Sequence, residues 1–173
     1  MRTYSLLKDI PVYTDKGSLV GEVCDICIAK DGNVKSLLVK GKGLFNKLYS
    51  LPIDQVKTYG QNAIVIQEST PLAKYKEAED EHTMCHFRPI SKAYAISGCG
   101  EELGLLEDVY FHEEVGTIIG YELTDGFFSD LKEGRRVIHS VHPPKFGKDA
   151  IIVNVNQLRG GERTYDEVPE LPK

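Results

Sequence analysis

Asp25 and Asp108 each interrupt an apolar stretch, Val-Cys-Asp-Ile-Cys-Ile in one place and Leu-Glu-Asp-Val-Tyr-Phe in the other. A carboxylate so placed is either an acid–base group or an acceptor that holds backbone N–H groups of a neighbouring turn. Cys24 and Cys27 have the spacing of a zinc knuckle or a redox pair. His82, Cys85 and His86 stand at i, i+3 and i+4, one face of a helix, where three soft ligands would converge with Cys99 or His112 as a fourth. Lys35, Lys40, Lys42 and Lys47 gather with no acid between them, a patch that would meet phosphate or an acidic protein. An enzymatic site between two domains would draw on His139, His142 and Asp108.

The elements that must position these groups come from a repeat. Gly17–Ile28 is written again as Gly100–Phe111, with Gly21 on Gly104, Val23 on Leu106, Asp25 on Asp108 and Ile26 on Val109. The pairing resumes at Lys57–Val65 and Pro144–Ile152, which lays Gly60 on Gly147. The offset grows from 83 to 87 residues, as loops allow and strands do not. Two related domains of roughly 70 residues follow, and units that small are marginal alone. They must pack on each other, on a partner or on a second copy.

The duplication also weighs the candidate chemistry. A carboxylate present in both copies, with no repeated His, Lys or Ser beside it, reads as a structural acceptor. Gly21 and Gly104 read as places where a strand bends or another backbone comes close. In a strand Cys24 and Cys27 project to opposite faces, and Cys27 becomes Tyr110 in the second copy, so both thiols read as small hydrophobes. The His82/Cys85/His86 face needs a helix that Phe87-Arg-Pro89 is about to end, so its default role is packing against the barrels and no metal or cofactor is assigned. No nucleophile–base pair can be argued from the spacing of His139, His142 and Asp108.

A 41% hydrophobic, 27% charged composition is that of a globular protein, and a net charge of −5 argues against binding nucleic acid through the whole surface. The longest apolar runs fall far short of the ~20 residues of a membrane helix. No secretory leader is legible at the start, so a cytoplasmic protein with reduced cysteines is expected.

Alternation over Leu19–Ala29 places Val20, Glu22, Cys24, Ile26 and Ile28 on one face and Leu19, Gly21, Val23, Asp25 and Cys27 on the other. Lys30-Asp-Gly-Asn33 predicts a hairpin turn, and five or six short strands in each unit predict a small β-barrel. Thr70 and Pro71 open a predicted helix over about 71–84. The expected organisation is a first barrel over 1–68, a helical linker over 69–86, a second barrel over 87–156 and a disordered tail over 157–173.

The order strand, Gly-x-x-x-Gly-x-Val-x-Asp-Ile, hairpin, aliphatic strand, then Leu-Pro-Ile-Asp-x-Val-x-x-x-Gly-x-x-Ala-Ile-Val resembles the PRC-barrel family. That family is named for the soluble domain of the photosynthetic reaction-centre H subunit and includes the C-terminal domain of a ribosome-maturation factor. The second copy lacks the Pro-Ile-Asp step and has His139-Ser-Val-His-Pro143 there. The resemblance implies an all-β protein of two tandem PRC-type barrels joined by a short helical linker, acting as an interaction module and not an enzyme.

The loop after the third strand carries Gly43-Leu44-Phe45-Asn46 in one copy and Gly126-Phe127-Phe128-Ser129 in the other. These rings either cap the barrel ends or anchor a partner. The expected function is docking of another protein through Leu44, Phe45, Phe127, Phe128 and the inter-barrel groove. The alternative is RNA or ribosome binding through Lys40, Lys42 and Lys47, against which Glu77, Glu79, Asp80 and Glu81 would act.

Overall fold

In the computed structural model, residues 1–43, 47–125, 136–140, 142–147 and 149–154 are described. Leu44, Phe45, Phe127, Phe128 and the tail 157–173 lie outside them. The first half comprises β1 (Arg2–Thr3), one helical turn α1 (Tyr4–Leu7), β2 (Pro11–Thr14), β3 (Leu19–Ile28), β4 (Val34–Gly41), β5 (Leu48–Pro52), β6 (Val56–Tyr59) and β7 (Ile64–Ile66). A 3-10 turn at Ile53–Gln55 follows Pro52. Two short strands, β8 (Ala73–Lys74) and β9 (His82–Thr83), lead to β10 (Tyr94–Ser97), β11 (Glu102–Phe111), β12 (Ile118–Thr124), β13 (Arg136–His139), β14 (Lys145–Phe146) and β15 (Ala150–Val153).

The two curled sheets have one plan. The first runs β6-β7-β2-β3-β4-β5-β8 and the second β13-β12-β11-β10-β15-β14. In each, the first barrel strand pairs in parallel with the last, β2 with β7 and β10 with β15, and all other neighbours are antiparallel. The fold is therefore all-β, two tandem barrels.

Three β-bulges recur at matched places: between Val12 and Tyr13 and between Ala95 and Ile96; beside Cys24 and beside Glu107; and after Cys27 and after Tyr110. They correct the alternation expected for β3. Val23, Asp25 and Ile26 are all fully buried, because the extra residue at Cys24 shifts the inward set by one. The same device turns Asp108 and Val109 inward together.

The expected linker helix over 71–84 is absent; the segment is extended and turning, with β8 and β9 as its only regular pieces among the described residues. Ala73 and Lys74 pair with Ser50 and Tyr49, and the Tyr75 N–H donates to the Leu48 carbonyl. An isolated helix of that length is marginal in water. The open edge of β5 offers the same backbone groups partners, and Leu72 packs half-buried on the core.

The lead-in of each barrel crosses to the other barrel. β1 pairs with β11, and β9 pairs with β3. Tyr4 and Leu7 from one lead-in and Met84 and Ile90 from the other join a single apolar cluster drawn from both barrels. The hairpin ends also meet: Asn33 and Thr117 form an antiparallel bridge, and the Val34 N–H donates to the Gly116 carbonyl at 2.8 Å. Matched positions facing each other mark an internal two-fold axis.

Candidate functional site

Asp25 and Asp108 hold these crossings. The Asp25 carboxylate accepts from the N–H groups of Ile26 (2.8 Å), Met84, Cys85 and His86 (each 2.9 Å). His86 Nδ1 lies 2.6 Å from the same carboxylate. Asp108 accepts from Val109 (2.8 Å), Tyr4 (3.0 Å) and Ser5 (3.1 Å). Each therefore serves the barrel it does not belong to by sequence order, tying down the segment that enters it. Thr83 and Thr3 complete the turns, their hydroxyls accepting from the N–H groups three residues on. Burial holds the Asp108 carboxyl above the usual range, opposed by its hydrogen bonds to Ser5 and Val109. Both Asp108 oxygens accept from backbone amides, Oδ1 from Tyr4 and Val109 and Oδ2 from Ser5.

Four of the glycines matched between copies, Gly21, Gly104, Gly60 and Gly147, are places where a side chain does not fit. A Cβ on Gly21 would lie 2.2 Å from the Lys40 carbonyl oxygen, and one on Gly104 2.8 Å from that of Thr124. Gly60 and Gly147 close equivalent turns, each N–H donating to the carbonyl of the Ala three residues on at 2.9 Å.

Because β9 replaces the expected helix, His82, Cys85 and His86 do not share a face. His82 stacks on Phe146 with ring centroids 4.5 Å apart, while the Cys85 thiol takes a hydrogen bond from the Tyr4 hydroxyl at 3.4 Å. Among the described residues no three His, Cys, Asp or Glu side chains are placed to hold a metal ion. Burial pushes the Cys24 thiol up to about 11 and that of Cys27 to about 12, the latter helped by a hydrogen bond to Glu81. Both are protonated at neutral pH, the opposite of a reactive pair. Lys40, Lys42 and Lys47 are exposed, whereas Lys35 is ion-paired with Glu81.

The site that the fold does build is a groove of about 930 Å³ between the second lead-in and the β14–β15 hairpin. One wall is the linker and second lead-in, with Glu79, Asp80, His82 and Arg88; the other is the β14–β15 hairpin, with Lys145, Phe146 and Asp149. Lys30 reaches it from the first barrel's hairpin turn, which packs against Pro143 and Pro144 at Gly32. Buried Ile90 and Ile151 lie beneath. Burial holds His82 below its ordinary value, so it stacks as a neutral ring. A depressed histidine contributes stability that is present above the unfolded value of about 6.5 and lost as pH falls through the folded one. The His82→Phe variant, which keeps a ring on Phe146, should lose less stability than wild type between pH 7 and pH 5 in urea titrations.

Sequence reasoning missed the His86–Asp25 pair and the exchange of lead-ins. The available signal was Thr3-Tyr-Ser-Leu against Thr83-Met-Cys-His, an extension of the repeat at an offset of 80 residues, upstream of the copies compared.

The architecture and the comparisons agree. The family model described as PRC-barrel domain matches residues 1–72 and again 92–159. The chain belongs to the PRC-barrel family. A Bacillus subtilis (strain 168) relative, the uncharacterized protein YrrD, is 28% identical over 158 residues, covering 89% of this chain and 88% of its own. Among the described residues of this PRC-barrel protein no helix is long and apolar enough to cross a membrane.

Proposed function

We propose that this tandem PRC-barrel protein is a non-enzymatic, cytoplasmic adaptor that docks another protein in this groove. The groove itself supports the reading: a concave surface with an apolar base and a charged rim, built by the linker and the second barrel, with Lys30 of the first barrel at its edge. The loops carrying Leu44, Phe45, Phe127 and Phe128 supply a second contact in this reading. RNA binding through Lys40, Lys42 and Lys47 is the competing reading. Lys35, the remaining lysine of that cluster, is already neutralised by Glu81.

Ser91 lines the groove and is half-buried, so Ser91→Trp fills it without reaching the core. Tagged wild type should recover its native partner from nuclease-treated extract, and the Ser91→Trp protein should not. Phe45→Ser with Phe128→Ser should weaken the same capture in a protein that still folds. Equal capture by the Ser91→Trp protein removes the groove from the proposal. Capture that vanishes with nuclease and falls as a steep power of salt concentration transfers the function to RNA.

A further inference from the structure

The internal two-fold axis maps the groove onto an equivalent region at the first lead-in, and the two differ in charge. By strand register, Arg2 corresponds to His82, because Arg2 pairs with Phe111 and His82 with the matched Ile28. Tyr59 corresponds to Phe146, since they pair with the matched Ile64 and Ile151. Glu113 and Lys30 are the first residues of the two matched hairpin turns. Asp9 and Lys92 are equivalent too, with φ of 65° and 67° and N–H groups donating to the Val23 and Leu106 carbonyls.

The region equivalent to the groove at the first lead-in is filled by the protein's own residues. The Met1 amino group and Arg2 pair with Glu113, and Arg2 lies over the Tyr59 ring, 5.9 Å from its centroid, while donating to the Tyr59 carbonyl. Arg2 Nε, the Tyr59 hydroxyl and one Glu113 oxygen are shut off from solvent there. In the open groove both acids have become lysines. Lys92 finds Glu107, but among the described residues Lys30 and Lys145 have no ion pair. Glu79 and Asp80 line the opposite wall beside Arg88, which pairs with Glu77, and Asp149 is the acid on the lysine-bearing hairpin.

We propose that the open groove takes an extended acidic segment of a partner protein, a carboxylate of which pairs with Lys30 and Lys145, the groove's two lysines without an ion pair among the described residues. An apolar or aromatic side chain next to that carboxylate packs against the His82–Phe146 pair, which lines the groove. This rests on the adaptor reading above and adds the chemistry of the partner. Lys30 and Lys145 supply the local attraction, and desolvation over Ile90 and Ile151 strengthens the charge contact once made.

The probe is a short fluorescein-labelled peptide of Glu-Tyr-Glu-Leu repeats, titrated with the full chain and followed by anisotropy. A Lys-Tyr-Lys-Leu peptide and a labelled uridine oligonucleotide are run beside it. The acidic peptide should bind and the other two should not. Lys30 and Lys145 are exposed, so Lys30→Glu and Lys145→Glu leave the fold intact by circular dichroism, and each should weaken binding about tenfold. Binding unchanged by both reversals, preference for the basic peptide or preference for the oligonucleotide overturns the inference. If Ser91→Trp still abolishes capture of the native partner while the acidic peptide fails to bind, the adaptor reading stands and only the partner chemistry is wrong. If Ser91→Trp leaves capture intact, the adaptor reading itself has failed.

Discussion

Asp25→Ala should cost about 3–5 kcal/mol, among the largest losses expected of any single substitution in this chain. Truncation strips the acceptor from the amides of Ile26, Met84, Cys85 and His86 at once, and Asp25 is fully buried, so water cannot replace it without opening the structure. For a chain of this size the melting temperature should fall on the order of 10 °C. The loss should be directional. Hydrogen exchange at Met84, Cys85 and His86 should accelerate before exchange in β4 does, because β9 detaches from β3 first. Asp25→Asn keeps one carbonyl oxygen and should fall between the two. Asp108→Ala, with Tyr4, Ser5 and Val109 as its amide donors, should release the first lead-in and spare the second. A melting temperature unchanged in Asp25→Ala would show that this carboxylate does not brace the barrels.

Gly116→Ala should cost about 3–5 kcal/mol by a different route. Its φ is +77°, and an added Cβ would stand 2.0 Å from the Val34 carbonyl oxygen and 2.7 Å from Ile53 Cδ1, both in the other barrel. The hairpin ends must separate to make room, breaking the Val34–Gly116 hydrogen bond and the Asn33–Thr117 bridge. Two companions separate the causes. Gly100→Ala has φ of +89° and open space around its Cβ, so it should show only the left-handed penalty of roughly 1–2 kcal/mol. Gly21→Ala clashes within the first barrel and should destabilise without exposing the Val34 amide to exchange. If Gly116→Ala proves no worse than Gly100→Ala, the contact between hairpins is looser than the structure shows.

What was legible in the sequence was whatever the two copies share. Gly21 with Gly104 and Asp25 with Asp108 stood out because a position kept in both barrels answers to the fold and not to a ligand. The bulges were invisible: a binary pattern over Leu19–Ile28 records polarity but not the unpaired residue at Cys24 that brings Asp25 and Ile26 to the inside together. The linker was misread because its helix formers compete with a partner distant in the chain, the edge of β5, which no local propensity reports. The groove was hidden for the same reason. Lys30, His82 and Lys145 meet only because the lead-ins cross, a contact spanning 104 residues between Tyr4 and Asp108.

That crossing orders events on the ribosome. When the first barrel's strands have emerged, β3 still lacks β9, and Tyr4 and Leu7 still lack the strand on which they will lie, because Asp108 has yet to be synthesised. The nascent half exposes apolar side chains and an unpaired strand edge until translation reaches β11. Two ribosomes on one message, or two half-folded chains in a refolding tube, present each other with the missing pieces. Misassembly should therefore take the form of swapped lead-in arms, with yield falling as concentration rises during refolding and recovering on dilution.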